Sequence, residues 1–105
     1  MNKLFFSIVG TGAAAADLAT MRLGVPKGKT WILKEIRGKS TACANIVGRV
    51  QVNGEDSFTK YLSPQSLPVG VNESYSEGTE ISLVLTLLVG AQVSGFLTIG
   101  VEEYA

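Results

Sequence analysis

The sequence predicts an all-β domain, an antiparallel sandwich of about seven to eight strands. Three observations carry that expectation. Apolar and polar positions alternate with period two, as in Ile46, Gly48, Val50 and Val52 against Val47, Arg49, Gln51 and Asn53. β-Branched and aromatic residues fill the runs between turn signals. Finally, 105 residues with 46% hydrophobic and 17% charged side chains hold one small core, which excludes a disordered tail. Residues 1–105 form one domain, with residues 1–16 as a candidate strand or arm for assembly.

The N-terminal element reads in two ways. Residues 1–9 and the alanines after them have the basic residue, apolar run and small residues of a signal peptide, but the run is short and broken by glycine. Residues 3–9 otherwise make a first strand with Leu4, Phe6 and Ile8 on one face. Gly10 to Ala16 would then be a small-residue connector. Such a strand closes its own sheet or lies on the edge of a neighbour's.

The remaining elements follow turn by turn. Pro26-Lys27-Gly28-Lys29 precedes a strand over residues 30–37. Asn53-Gly54 supplies the positive-φ pair of a tight hairpin. Residues 63–70, with Pro64, Pro68 and Gly70, break regular structure and make a loop or a short edge strand. Glu77-Gly78 opens a strand over residues 79–88. Val89-Gly90-Ala91 turns into the last strand, residues 93–101. The strand over 79–88 is apolar on both faces: Ile81, Leu83, Leu85 and Leu87 on one, Val84 and Leu88 among the other. Either it is a central strand covered on both sides, or its second face is an interface. Its apolar run of about nine residues is too short for a membrane helix, which needs roughly 20.

Composition removes several chemistries. There is no histidine, so Ser-His-Asp and Cys-His hydrolases are excluded, together with the commonest metal ligand. Cys43 has no disulfide partner in the chain and reads as a small buried hydrophobe. Glu102-Glu103 is the one carboxylate pair near the C-terminus, but adjacent strand residues face opposite sides and cannot act together. No catalytic site, cofactor site or metal site is expected.

Net charge is zero, yet unevenly distributed. Residues 1–50 carry eight basic and two acidic residues, and residues 51–105 carry Lys60 against seven acids. Either strands from the two halves interleave and the charges mix, or opposed surfaces draw copies together head to tail. Lys27, Lys29, Lys34, Arg37, Lys39 and Arg49 surround Trp31, but no stacking platform follows from their spacing, so no nucleic-acid partner is expected.

Two phosphate motifs fail on context. Gly24 to Thr30 is one residue short of a P-loop and runs into the strand at Trp31-Ile32-Leu33. Gly10-Thr11-Gly12 with Ala15 matches a dinucleotide fingerprint, and Glu35 lies beyond it, but the chain is too short for the doubly wound sheet. A nucleotide-binding enzyme is kept as a remote alternative. Asn72-Glu73-Ser74 matches a glycosylation sequon.

Three stretches carry a resemblance. Val25-Pro26-Lys27-Gly28-Lys29-Thr30-Trp31-Ile32-Leu33, Ser76-Glu77-Gly78-Thr79-Glu80-Ile81-Ser82-Leu83 and Ser94-Gly95-Phe96-Leu97-Thr98-Ile99-Gly100-Val101-Glu102-Glu103-Tyr104 resemble the strand openings and closing strand of small single jelly-roll virion proteins. The apolar, histidine-free chain is similar to virion or filament proteins of archaeal viruses from hot environments. The resemblance implies an eight-stranded jelly roll that packs against copies of itself, in a virion or outside the cell, with loops that touch a host receptor. The expected function is therefore a non-enzymatic, self-assembling structural protein, with Leu4, Phe5, Phe6, Ile8, Val84 and Leu88 as the interface. The alternative is a jelly-roll receptor- or carbohydrate-binding module presenting residues 61–71. The expected partner is the chain itself, with a host-surface receptor or glycan as the second.

Overall fold

The computed structural model describes residues 1–41, 46–65, 68–88 and 92–105. The described strands are β1 Asn2–Gly12, β2 Ala16–Gly24, β3 Thr30–Ser40, β4 Ile46–Val52, β5 Glu55–Tyr61, β6 Val69–Tyr75, β7 Glu80–Leu87 and β8 Val93–Tyr104. They form two four-stranded antiparallel sheets, ordered β1-β8-β3-β6 and β2-β7-β4-β5. Of the consecutive strands, β4 and β5 alone are sheet neighbours; the others cross between sheets. That strand order is a jelly roll, two Greek keys folded into a sandwich.

Local chemistry places the turns. Asn53 and Gly54 both have positive φ, 52° and 86°, which matches the twist of a two-residue hairpin. The Asn53 side chain accepts a hydrogen bond from Glu80 N at 3.0 Å, and Asn53 N donates to Glu80 O at 2.8 Å, tying the hairpin to the start of β7. Gly28 and Gly78 sit at φ 78° and 83° in the turns before β3 and β7, where any side chain would strain the backbone.

The core lies between the sheets. Leu33, Ile46, Leu62, Ile81, Leu83, Leu85, Leu97 and Ile99 are at most 1% exposed, and each such side chain contributes about 1.5–3 kcal/mol through burial. β7 runs between β2 and β4. Ile81, Leu83, Leu85 and Leu87 fill the core from it, while Ser82 and Val84 are covered on the outer face, where Val84 lies in register with Thr20 and Arg49. Of the two expectations for this strand, the covered central strand is the one found.

The N-terminal expectation needs correcting in extent. β1 continues through Gly10-Thr11-Gly12, and the bend to β2 is made by Ala13, Ala14 and Ala15. Gly10 and Gly12 are not part of a connector; they are strand residues facing the second sheet. A Cβ on Gly10 would sit 2.7 Å from Leu18 Cβ, and one on Gly12 would overlap the Leu18 side chain. Their role is close approach between sheets. Strand β2, not a helix, follows them, which removes the dinucleotide reading. β1 also pairs along its whole length with β8 of the same chain, from Asn2↔Glu103 to Gly12↔Val93.

Each sheet combines strands from both halves of the sequence, so the basic first half and acidic second half interleave. Lys3 faces Glu102 across β1 and β8, for example. No helix of the described residues is long and apolar enough to cross a membrane.

Candidate functional site

Period two gives each strand of the first sheet an inner and an outer set. Leu4, Phe6 and Ile8 of β1 pair with Val101, Ile99 and Leu97 of β8 and face the core. Phe6 stacks on Trp31 with ring centroids 5.3 Å apart, and Trp31 Nε1 donates to Glu103 Oε2 at 2.9 Å. The outer set places Phe5, Ser7 and Val9 of β1 beside Gly100, Thr98 and Phe96 of β8, with Glu35, Arg37 and Lys39 of β3 alongside. Phe5 is 63% exposed and Val9 72%.

Two hollows mark this face. The larger, about 550 Å³, is lined by Ser7, Val9, Lys39, Ser40, Thr41, Pro64, Ser94, Gly95 and Phe96. The smaller, about 240 Å³, lies towards the other end and is lined by Lys3, Phe5, Lys34, Glu35, Gly100, Val101 and Glu102. Between them Ser7 Oγ and Thr98 Oγ1 share a 2.6 Å hydrogen bond. Gly100 lets Phe5 lie close over the sheet, since a Cβ there would be 3.0 Å from Phe5 Cε1.

The larger hollow is held together by the backbone. Thr41 N donates to Ser94 O at 2.9 Å, and Ser94 N donates to Thr41 Oγ1 at 3.1 Å, which locks the end of β3 to the start of β8. Ser40 N donates to Ser63 O at 2.9 Å, so the segment carrying Pro64 is fixed as the third wall. Arg37 pairs with Glu35 at 3.8 Å, whereas Lys39 has no ion-pair or hydrogen-bond partner among the described residues.

Two tyrosine phenols of the same sheet are shifted. Tyr104 donates to Glu102 Oε1 at 2.9 Å, and that bond holds the Tyr104 phenol above its ordinary range. Glu102 therefore faces outward while Glu103 turns to Trp31, as the strand alternation requires. Burial, then the nearby Glu73 carboxylate, push the Tyr75 phenol up, partly offset by the Ser57 hydroxyl; the oxygen makes no hydrogen bond of good geometry. Among the described residues, no three His, Cys, Asp or Glu side chains converge to hold a metal ion.

The six residues expected at an interface do not form one surface. Leu4, Phe6 and Ile8 belong to the chain's own core, and Val84 is 5% exposed beneath its neighbours. Phe5 remains on the outer face of the first sheet, and Leu88 is 39% exposed beyond the end of β7. Alternation identified a shared face for Leu4, Phe6 and Ile8 but not the core that face enters. The expected presenting segment contributes Pro64 to the larger hollow, and Tyr61 is 64% exposed at the end of β5. Asn72, of the sequon, is exposed on β6 and accepts from Lys34 Nζ at 3.1 Å. Cys43 lies outside the described residues.

Ser7, Lys39, Thr41, Ser94 and Phe96 were missed as a group. They come from β1, β8, β3 and the segment after it, with no spacing that links them. The one available signal was an aromatic, Phe96, on the polar face of the closing strand.

The fold defines a class, the jelly-roll β-sandwich. Solved structures agree with it. The chain is similar to the CBM36-1 domain of a multidomain xylanase from the hindgut metagenome of Trinervitermes trinervoides, with TM-score 0.51, 14% identity, and coverage of 96% of this chain and 97% of that one. It is also similar to part of the insecticidal delta-endotoxin Cry8Ea1 from Bacillus thuringiensis, with TM-score 0.50 and 10% identity, spanning 99% of this chain but only 20% of the toxin. No family model matches the sequence. No curated protein matches it either.

Proposed function

We propose that the chain is a non-enzymatic jelly-roll binding module that takes a saccharide in the larger hollow of its first sheet. One observation carries this reading: the Phe96 ring lies beside the hydroxyl-bearing residues Ser7, Thr41 and Ser94 in a single concavity of about 550 Å³. A pyranose needs both kinds of group. Its C–H face rests on an aromatic ring, and its hydroxyls exchange hydrogen bonds with short polar side chains. The backbone bonds at Thr41, Ser94 and Ser63 preorganise the walls, which lowers the ordering cost of binding. The carbohydrate-binding domain of a xylanase shares this fold and is in keeping with the reading.

The test is a glycan array followed by calorimetry on the best hit. Wild type is expected to bind, and Phe96→Ala to weaken binding about tenfold or more, by analogy with the ~1–3 kcal/mol of a base stacked on an aromatic side chain. A correctly folded protein that binds no glycan would refute the proposal.

A second reading is favoured by the exposure of Phe5 and Val9. On this reading copies pack through the outer face of β1 and build a virion component or an extracellular filament. Light scattering and negative-stain microscopy separate the two: a monomer at all concentrations removes self-assembly, and assembly abolished by Phe5→Ser with Val9→Ser supports it. Either role places the protein in a virion or outside the cell.

A further inference from the structure

We infer that the saccharide taken by the larger hollow is an acidic one, whose carboxylate meets Lys39 while its ring rests on Phe96. This rests on the binding-module reading above and adds the class of sugar. Lys39 is the one charged side chain lining that hollow, and it lies directly across from Phe96 in the β3–β8 register. It has no acidic partner among the described residues.

The neighbouring hollow supplies the contrast. There Lys3 and Lys34 share the lining with the carboxylates of Glu35 and Glu102, whereas no carboxylate lines the larger hollow. Arg37, the next outward residue along β3 from Lys39, is already paired with Glu35. Lys39 thus stands in a hollow without a carboxylate, beside the ring and the hydroxyls.

One compact ammonium suits a single negative charge. Phosphates and densely sulfated chains are met by arginine forks or several cations together, and this hollow has neither. A hexuronic acid carries one carboxylate on a ring that is otherwise hydroxyls and C–H faces. That matches one lysine, four hydroxyl-bearing residues and one aromatic ring.

The experiment is calorimetry with a matched pair of probes, an oligogalacturonate and the same oligomer with its carboxylates reduced to alcohols. The acidic probe is expected to bind about tenfold tighter, the low end for a hydrogen bond to a charged group. Lys39→Gln should remove that preference, Lys39→Arg should keep it, and raised salt should narrow it. Lys39 is exposed, and unchanged melting would confirm that the variants fold. Equal affinity for the two probes, or a preference that survives Lys39→Gln, overturns this inference and leaves the binding module standing. Binding of neither probe, with an empty array, brings down the module itself.

Discussion

The two flanks of the sandwich are closed in different ways. At the β1–β2 flank, Gly10 and Gly12 of one sheet admit the Leu18 side chain of the other, and the backbones come close. Asp17 and Ala19 flank a bulge in β2, which adds the extra residue that aims Leu18 inward. At the β5–β6 flank the comparable insertion, Leu62 against Gly38 of β3, lies beyond the end of β5 and not between the edge strands. A slot of about 120 Å³ remains, lined by Ile36, Gly48, Val50, Phe58, Thr59, Lys60 and Val69. Val69 is 43% exposed at its mouth. One flank is thus sealed by removing side chains, and the other is covered loosely by partly buried ones. Tolerance to substitution should differ accordingly.

The sharpest way to break the comparison is a substitution at the tighter flank. Gly10→Val places atoms where Leu18 already sits and should cost about 1–3 kcal/mol, or more if the sheets cannot part. Urea unfolding measures this, and a change below the error would show that the β1–β2 flank is as slack as the other. Tyr75→Phe comes next, with an expected change of under about 1 kcal/mol, towards greater stability, because it removes a buried oxygen without a good hydrogen bond. It should also act on pH dependence. The folded-state phenol lies above its ordinary value of 10.0, so its contribution is complete below that value and is lost as pH rises towards and through the folded-state pKa. Tyr75→Phe should therefore make the alkaline decline in stability shallower, as followed by circular dichroism. The smallest effect belongs to Gly70→Val on β6, where a Cβ would meet nothing within 4 Å. A shift in either direction of no more than about 0.5 kcal/mol is expected. Gly70 is the register partner of outward-facing Glu35, so a large loss there would mean that the outer face of β6 is covered in solution.

The fold was legible where a single residue dictates the backbone. Asn53-Gly54, Gly28 and Gly78 each mark a turn because few other residues adopt positive φ, and the structure places a turn at each. The two apolar faces of β7 left a covered central strand and an interface equally open, and the strand lies between β2 and β4. Extents were less legible. The glycines at 10 and 12 look like a connector, since a missing side chain reads the same whether it frees the chain or makes room for Leu18. Association was the least legible. Alternation assigns Leu4, Phe6 and Ile8 to one face and cannot say whose core that face joins. The larger hollow had no sequence signal as a unit, because β1 and β3 meet only through β8, with partners more than 50 residues apart.

β8 is the sole bridge between β1 and the β3–β6 pair of the first sheet. On the ribosome, β1 is made first and stays unpaired until the last strand emerges. Its eleven residues then find their register only by closing a loop of nearly the whole chain. Folding of this domain should accordingly be slow for its size and completed only once β8 is available, with the nascent chain exposing Leu4, Phe6 and Ile8 for that entire interval.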